Sequence, residues 1–563
     1  MISFQSIKEK RNYFFDVFAF ILIAIFSYLY IKLAFLNYRF FETGMDLGGY
    51  TQALFNLSHF RLPFNTFKNM VMWGDHAHFI ITLMAPFYRI IPDARLILVV
   101  QALAVTLAGW PLYKIARLIV KNYILSLAIL YAYLAFIGSQ YALNFDFHPS
   151  VLTGALIIWF FYGFHFNKKG IFWTALILGL ITREDAPPIF FMIGGYFLLR
   201  NIGLFLIEYG KRKWRDRYRS ETITPLEKSI ARFNMKEINK TISDNWKTGL
   251  LVMIISFVSF CIIAYGIMPV WTKDHAALTY LEDGNKDPYS IVRGFFVYPK
   301  AIFQNMFDTD VKLKTVKTLF SSFSFLSAFS PFTYISSLTI FYSRFTSADS
   351  YRWVINNHSN ANIVPLLAIG AIYGASNLRK IISFLFSLSV FTKDEKRKKQ
   401  LLFLGKYFSH GLLIILGGLL IYSVQINAWS DKKAPLFFSH EKHIMPTELI
   451  AGHENVMKKV AELIPQDDMV SVSSGFTAHL GNRKNLQNYP DMNEMTKWLV
   501  VSPFAYSWPF SQGTMKHEIK VLLTDHEFEQ VYYEKGAYIF KRRFVGKTNN
   551  TPKAPLPNDG TSE

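Results

Sequence analysis

The sequence predicts a polytopic, mainly α-helical membrane protein with a small C-terminal α/β or α+β domain outside the membrane. Hydrophobic residues make up 51% of the 563 residues and aromatic residues 17%, which is too apolar for a soluble protein of this length. The formal net charge of +20 is concentrated in short stretches between apolar segments. After residue 430 the composition becomes that of a soluble domain.

The basic stretches predict how the chain is oriented in a cell (inner) membrane. Residues 208–247 contain eleven Lys and Arg against six acids, and residues 393–406 contain six against two. Cytoplasmic loops retain such charge during insertion, so both stretches are expected inside. Because this charge lies between apolar segments, we expect no nucleic-acid partner.

The first helix is predicted over residues 14–35, with the N-terminus in the cytoplasm. Lys8, Lys10 and Arg11 precede it, and the opening residues show no small-residue cleavage site. We therefore interpret the helix as a retained signal anchor. Residues 37–94 then form the first outer loop.

The apolar run 77–91 inside this loop falls short of the ~20 residues needed to cross a bilayer. If it crossed, the basic residues Lys114, Arg117 and Lys121 would fall outside, against the positive-inside bias. We expect it to lie in the outer interface as an amphipathic helix.

The remaining apolar segments alternate consistently across the membrane and give about eleven transmembrane helices within residues 1–430. This arrangement places the N-terminus and the 208–247 loop inside and the C-terminus outside. The segment 171–182 and the two beside Pro331 are short, which suits tilted, broken or re-entrant helices. After the first helix, the predicted spans are 96–115, 123–138, 150–165, 171–182, 187–206, 249–270, 315–329, 332–343, 363–373 with a short extension, and 411–424.

Residues 431–545 are predicted to form the soluble, extracytoplasmic domain. Helical spacing runs over 448–463, and short strands are predicted at Met469–Ser473, Trp498–Ser502, Ile519–Leu523 and Ala537–Phe540. The polar, Pro-rich tail 546–563 is expected to be disordered. The single cysteine, Cys261, excludes an intrachain disulfide and a cysteine-based zinc site.

Five separated polar clusters are expected at the outer membrane face. Ionisable side chains beside a membrane are costly and are usually functional. No basic loop joins these clusters, which distinguishes them from the solvated inner face. They are Asp46; Asp75, His76 and His78; Asn144, Asp146 and His148; Arg183, Glu184 and Asp185; and Arg352, Asn356, Asn357 and His358.

Several of these clusters also have simpler interpretations. Asp46 and Asp75 would each suit the cap of a following helix, and Pro149 after FDFH would suit an ordinary loop that ends where a helix starts. Asp75, His76 and His78 are metal-ligand types, which leaves a divalent metal open. The TRED run at 182–185 lies between two apolar segments without room for a long loop, so its charges need partners.

The residue types suit group transfer from a lipid phosphate. A carboxylate can take a proton from an acceptor hydroxyl, while Arg and His can hold and neutralise a phosphate leaving group. An enzyme with a lipid phosphate donor needs both functions at one membrane face.

Seven fragments of the chain carry a resemblance to known proteins: MDLGGYTQ, GDHAHFIITLMAPFYRI, LVVQALAVTLAGWPLYKIAR, NFDFHPSVL, REDAPP, HSNANIVP and SSGFTAHLGNRKNLQNYP. In this order they resemble an uncharacterised family of bacterial and archaeal membrane proteins, a domain-of-unknown-function family. That family is in turn similar to the GT-C clan of glycosyltransferases, which use polyprenyl-phosphate sugars. The resemblance covers roughly residues 12–545.

The resemblance implies roles for individual residues. The clan's acidic residue in the first outer loop, its base, falls on Asp46, and a second acidic position falls on Asp146. Two positions depart from the pattern, since Arg183 replaces an expected Lys and Ser359 an expected Tyr. Members of the clan differ in metal dependence. The family's recurrent residues fall on His76, His148, Glu184, Asp185, His358, His479 and Arg483.

The favoured hypothesis is an inverting glycosyltransferase of the outer membrane face. Its partners would be the bilayer, a polyprenyl-phosphate sugar donor and a glycan, lipid or protein acceptor. Asp46, Asp146 and Glu184 are the predicted catalytic residues. The predicted substrate-binding residues are His76, His148, Arg183, Asp185, Arg352, His358, His479 and Arg483.

Two alternatives stay open. A transporter or flippase would spread charges through the depth of the bundle and show repeat symmetry, and the sequence shows neither feature. A membrane-anchored binding protein would use residues 431–545 and make the outer charges of the bundle expendable.

Overall fold

The computed structural model describes residues 4–217, 235–271, 297–356, 358–387, 395–430, 434–438 and 445–543. The predictions for Asn357, for the middle of the 208–247 loop and for the 546–563 tail lie outside the described residues.

The chain is mainly helical up to residue 438. Two short strands, β1 (Phe64–Asn65) and β2 (Met70–Val71), pair antiparallel in the 37–94 loop. The helices of the first half are α1 (Phe4–Arg39), α2 (Met45–Ser58), α3 (Met72–Asp75), α4 (Ala85–Ile90), α5 (Arg95–Leu107), α6 (Gly109–Val120), α7 (Tyr123–Leu134), α8 (Ile137–Asn144), α9 (Pro149–His165), α10 (Lys169–Leu180) and α11 (Ala186–Arg217).

The second half continues with helices and then a sheet. The helices are α12 (Met235–Cys261), α13 (Met268–Trp271), α14 (Pro299–Asn305), α15 (Asp310–Ser321), α16 (Pro331–Phe345), α17 (Ile363–Ser387), α18 (Glu395–Ser430), α19 (Pro435–Phe438), α20 (Thr447–Leu463), α21 (Ser474–Thr477) and α22 (Gln512–Thr524). The strands are β3 (Met469–Val472), β4 (Leu486–Asn488), β5 (Thr496–Val501), β6 (Phe528–Glu534) and β7 (Ala537–Arg542).

In the part of the chain that the structure describes, six helical stretches are long and apolar enough to cross a membrane. Three shorter apolar helical stretches, 79–90, 149–165 and 169–180, accompany them. A multi-pass helical architecture agrees with the sequence prediction, and the count of eleven spans stays a prediction. The six stretches are Tyr13–Arg39, Arg95–Val120, Tyr123–Asn144, Trp246–Trp271, His358–Ser383 and Gly411–Ser430.

Residues 40–94 leave and rejoin the bundle at the same end. The guanidinium of Arg95, at the start of α5, lies 5.8 Å from the ring centre of Phe35 and 5.5 Å from that of Tyr38, near the end of α1. At the opposite end, Asp16 of α1 pairs with Lys114 at 2.7 Å and Arg117 at 2.9 Å. Helix α1 therefore runs antiparallel to α5 and α6.

The run 77–91 is not one regular helix. A 3₁₀ helix at Phe79–Met84 leads directly into α4. Leu83, Phe87 and Ile90 of this run remain 53%, 64% and 79% exposed. These apolar side chains suit the interfacial position predicted from the sequence.

The predicted span 315–329 is a broken helix, which is one of the forms expected for this short segment. Helix α15 ends at Ser321, and Ser324 and Phe325 then adopt left-handed backbone angles, with φ of 47° and 56°. A short 3₁₀ helix at Leu326–Phe329 follows before α16. Left-handed residues cannot continue a right-handed helix, so the apolar run is broken in two.

The C-terminal residues form a mixed five-stranded sheet in the order β4-β3-β5-β7-β6. Strand β3 is parallel to β4 and β5, while β7 is antiparallel to β5 and β6. Alternate residues of β5 face opposite sides: Val500 packs in the cluster with α20, and Leu499 packs with α22. The 431 boundary and the outer position of this unit stay predictions.

The predicted strand Ile519–Leu523 is wrong, because these residues belong to α22. Ser511 caps this helix by accepting a hydrogen bond from the backbone N–H of Thr514. Met515, Ile519 and Leu522 are its buried residues, and their spacing of three to four is helical. A five-residue segment taken by itself does not show that period.

Helix α17 approaches residues 326–333 closely through two glycines one turn apart. A Cβ atom on Gly374 would collide with the carbonyl oxygen of Leu326, and one on Gly370 with the hydroxyl of Thr333. Small residues at this spacing let membrane helices approach each other closely.

We expect Gly374→Ala to destabilise the protein by about 1–3 kcal/mol, because the methyl group forces backbone to move. Gly418→Ala is the matched control, since a Cβ atom there meets no atom within 4 Å. Thermal unfolding of both purified variants checks the prediction. Equal unfolding midpoints would contradict it.

Candidate active site

Helix α2, which carries Asp46, begins on a carboxylate from another part of the chain. Its N-cap residue is Gly44, which offers no side-chain hydrogen bond. Asp146 replaces that bond, since its Oδ1 accepts from the N–H of Gly44 at 2.8 Å and its Oδ2 from the N–H of Leu47 at 3.0 Å. A Cβ atom on Gly44 would lie 2.9 Å from Asp146 Oδ2. Glycine therefore gives the carboxylate room, and Asp46 is not the cap.

Asp46 is left facing His148. Its Oδ2 lies 3.5 Å from His148 Nε2, and its side chain is 38% exposed. The other ring nitrogen, Nδ1, donates to the carbonyl oxygen of Asp146 at 3.0 Å. A carbonyl oxygen can only accept, so Nδ1 carries a proton.

The two neighbouring carboxylates have different pKa values. Burial raises the pKa of Asp46, but the hydrogen bond and charge of His148, with Lys68 and His76, outweigh it and leave the pKa below the usual value. Burial, with the charge of Asp46, raises the pKa of Asp146 to about 6. Asp46 is therefore ionised at neutral pH.

Glu184 connects residues 76–77 to the start of α11 through hydrogen bonds. Its Oε1 accepts from His76 Nδ1 at 2.7 Å, and its Oε2 accepts from the N–H of Ala77 at 3.0 Å. Arg183 Nε also donates to Oε1 at 3.2 Å. Burial alone would raise the pKa of Glu184, but the charges of His76 and Arg183 hold it well below its usual value.

Arg183 connects three neighbouring groups. Its Nη2 lies 3.4 Å from His76 Nε2, and its Nε lies 3.8 Å from Asp185 Oδ2. Asp185 Oδ1 is buried without a hydrogen-bond partner among the described residues. Burial raises the pKa of Asp185, so this carboxyl group binds its proton more tightly than a free aspartate.

His358 completes the cluster by stacking on His148. The two rings are 3.9 Å apart and 16° from parallel. Nδ1 of His358 is buried and, among the described residues, makes no hydrogen bond. The loop before it is held by the buried Arg344, which donates to the carbonyl oxygens of Arg352 and Val354 at 2.6 Å. Arg352 lies within electrostatic range of both Asp185 and His358.

The comparisons with known proteins concern nearly the whole chain. A family model described as "Predicted membrane protein (DUF2079)" matches residues 36–539. The chain belongs to the DUF2079 family. The family assignment and the six apolar helices together identify it as a multi-pass membrane protein.

A search of the curated proteins finds no match. Among solved structures, ArnT from Cupriavidus metallidurans bound to undecaprenyl phosphate is similar over 92% of this chain and 97% of that chain. The sequence identity is 9% and the TM-score 0.47.

The three candidate metal ligands of this DUF2079 protein each contact a different partner. Asp75 pairs with Lys68 at 2.5 Å, His76 with Glu184 at 2.7 Å, and His78 Nδ1 with the hydroxyl of Tyr50 at 3.1 Å. Among the residues that the structure describes, no three His, Cys, Asp or Glu side chains converge as metal ligands would.

His479 and Arg483 do not join the cluster. His479 Nε2 donates to the carbonyl oxygen of Tyr38 at 3.1 Å, and its ring stacks on Tyr38 and Phe41 at 3.9 and 4.3 Å. Arg483 is 4% exposed and donates to the carbonyl oxygens of Ile464 and Pro465. These contacts indicate a structural role for both residues, and their contact with substrate stays a prediction.

Three further residues belong to the site and were not predicted. Tyr50 binds His78, Gln101 Oε1 accepts from the N–H of His148 at 2.7 Å, and Tyr506 packs beside Gly44. Tyr50 lies one turn after Asp46 in MDLGGYTQ, so its helical spacing could have revealed it. Gln101 lies within an apolar helix and Tyr506 in a loop of the C-terminal unit, where no local pattern points to them.

We expect Asp146→Ala to destabilise the protein by about 1–3 kcal/mol, because two buried N–H groups lose their acceptor. The control is Asp525→Ala, which removes a single bond from the N–H of Glu527 at a more exposed turn. Thermal unfolding measures both. A loss no larger than that of Asp525→Ala would contradict a capping role for Asp146.

We also expect the buried His479 to make the stability of the protein depend on pH. Burial lowers the pKa of His479 to about 4, against 6.5 for a free histidine. The unfolded chain therefore binds this proton more tightly, and stability is lost as the pH falls from about 6.5 towards 4. We expect His479→Gln, which keeps a donor for Tyr38 but does not titrate, to show a shallower loss.

Unfolding midpoints between about pH 7 and pH 4.5 test this expectation. His517→Gln, at an exposed histidine of α22, should leave the wild-type slope unchanged. A His479→Gln variant with the full wild-type slope would show that another group controls the acid sensitivity.

Proposed function

We propose that this protein is a membrane glycosyltransferase that moves a sugar from a polyprenyl-phosphate donor to an acceptor at the outer face of the cell membrane. Asp46 acts as the base, and the transfer inverts the anomeric carbon. The acceptor is a glycan, lipid or protein carrying a hydroxyl group. The sequence resemblance to the GT-C clan supports the donor class.

The observation that carries the proposal is the state of Asp46. Asp146 and Glu184 each use both carboxylate oxygens to hold backbone N–H groups or a histidine. Asp46 is partly exposed and contacts the ring of His148. Its lowered pKa keeps it ionised, as a general base requires before it accepts a proton.

The bonds change in one in-line step. The acceptor oxygen attacks the anomeric carbon, its proton passes to Asp46, and the bond from that carbon to the phosphate oxygen breaks. Polyprenyl phosphate leaves with the bonding electron pair. Its negative charge needs cationic neighbours.

Those neighbours come from two segments. Arg183 just before α11 and Arg352 in the segment before α17 supply the positive charge, and His358 Nδ1, which is buried without a partner among the described residues, adds a hydrogen-bonding group. His76 fixes Arg183 through their 3.4 Å contact, and His148 orients Asp46. The sequence predicted Asp146 and Glu184 as catalytic, but in this scheme they position other residues. Asp185 alters the electrostatic environment of Arg183.

We expect Asp46→Asn to lower the rate of sugar transfer by at least about 10²-fold, because the amide cannot accept the proton. Purified protein in lipid nanodiscs would receive polyprenyl-phosphate sugars with a radiolabelled hexose or pentose. Release of polyprenyl phosphate measures the reaction.

The matched control is Asp93→Asn, which changes an aspartate of the same loop that pairs with Arg95. This variant should keep wild-type activity. Unchanged turnover in Asp46→Asn would remove Asp46 from the mechanism. Failure of the wild type to turn over any donor would overturn the proposed function.

A further inference from the structure

The C-terminal unit places a tyrosine at the start of the helix that carries Asp46. The N–H of Tyr506 donates to the carbonyl oxygen of Phe41 at 2.9 Å, and its own carbonyl oxygen accepts from the N–H of Gly475 at 2.7 Å. Atom Cε1 of its ring lies 3.3 Å from the position of a Cβ atom on Gly44. The backbone is thus fixed on both sides, and the ring reaches the site.

The hydroxyl group of Tyr506 is available for a ligand. The side chain is half-buried, and within the described ranges no residue makes a hydrogen bond to this hydroxyl. Burial, with the charge of Asp146 and smaller effects of Tyr351 and Asp46, raises its pKa to about 12. The group therefore stays protonated and can donate a hydrogen bond.

A second tyrosine approaches Asp46 from the membrane part of the chain. Tyr351 lies in the loop that leads to His358 and is 51% exposed. Its hydroxyl lies within electrostatic range of both Asp46 and Tyr506. Two partly exposed tyrosines from distant segments thus lie within electrostatic range of the carboxylate.

The site therefore has two chemically different halves. Arg183, beside His76, forms a cationic half, whereas Tyr506 and Tyr351 add neutral rings near Asp46. In an in-line displacement the base lies beside the attacking hydroxyl, on the side of the anomeric carbon opposite the leaving phosphate. The phosphate binds in the cationic half, so the acceptor binds beside the two tyrosines.

We propose that Tyr506 lines the acceptor subsite and that the acceptor it selects is a carbohydrate. This inference rests on the proposed glycosyl transfer. An aromatic ring offers an apolar face to the C–H groups of a sugar, and its hydroxyl bonds a sugar hydroxyl. The absence of a fixed charge on Tyr506 and Tyr351 suits a neutral sugar ring.

The experiment compares acceptors for the full-length protein in nanodiscs. With a labelled polyprenyl-phosphate sugar as donor, the probes are a series of neutral alkyl glycosides and a serine-containing peptide. We expect transfer to a glycoside and not to the peptide. Tyr506→Ala should raise the KM for the glycoside about tenfold, since it loses both stacking and a hydrogen bond, and should change the KM for the donor much less.

Two further variants separate the contributions. Tyr506→Phe keeps the ring and loses the hydroxyl, so its KM for the glycoside should lie between those of the wild type and Tyr506→Ala. Both substitutions keep the backbone bonds to Phe41 and Gly475. Tyr533→Ala, at a 50% exposed tyrosine of β6, is the matched control and should leave both KM values unchanged.

The possible failures are distinguishable. Transfer to the peptide in preference to the glycosides would overturn the carbohydrate assignment. Transfer to a glycoside with an unchanged KM in Tyr506→Ala would overturn the role of Tyr506. A wild-type protein that releases no polyprenyl phosphate from any donor would overturn the proposed function, and this inference with it.

Discussion

The hydrogen bonds from Gly44 and Leu47 to the carboxylate of Asp146 are the interaction on which the site depends. The first N–H groups of a helix have no partner within the helix, and here a residue about a hundred positions away supplies one. The bonds fix the start of α2 against the 145–148 turn. His148, two residues after Asp146, is thereby brought to the carboxylate of Asp46.

A carboxylate also accepts from a backbone N–H group where residues 76–77 meet the start of α11. Glu184 holds the N–H of Ala77 as Asp146 holds that of Gly44. The C-terminal unit contacts the 37–94 loop through Thr477, which donates to the carbonyl oxygen of Gly44 at 3.1 Å, and through Gln52, which donates to the carbonyl oxygens of Arg483 and Lys484. The 37–94 loop lies between the helical bundle and the sheet, so its geometry depends on both.

The sequence predicted which residues come together more accurately than it predicted the role of each residue. Charge beside apolar segments marked Asp46, Asp146 and Glu184, because unpaired charge is costly there. The sequence could not show that the carboxylates of Asp146 and Glu184 accept hydrogen bonds from backbone N–H groups, because these bonds join segments that are distant in the chain. His479 was marked by resemblance alone, and its ring is used to join the sheet to α1. Residues 519–523 are too few to show a helical period, so the sequence did not predict that they lie in a helix.

The pKa values of the four carboxyl groups separate their roles. Those of Asp46 and Glu184 lie below the usual range because histidines and Arg183 stabilise the charged forms. Those of Asp146 and Asp185 are raised because burial dominates. When environments push neighbouring titratable groups apart in this way, the ionised, exposed member is the one able to accept a proton. Glu184 is ionised but enclosed by its partners, which is why Asp46 is the residue that we propose as the base.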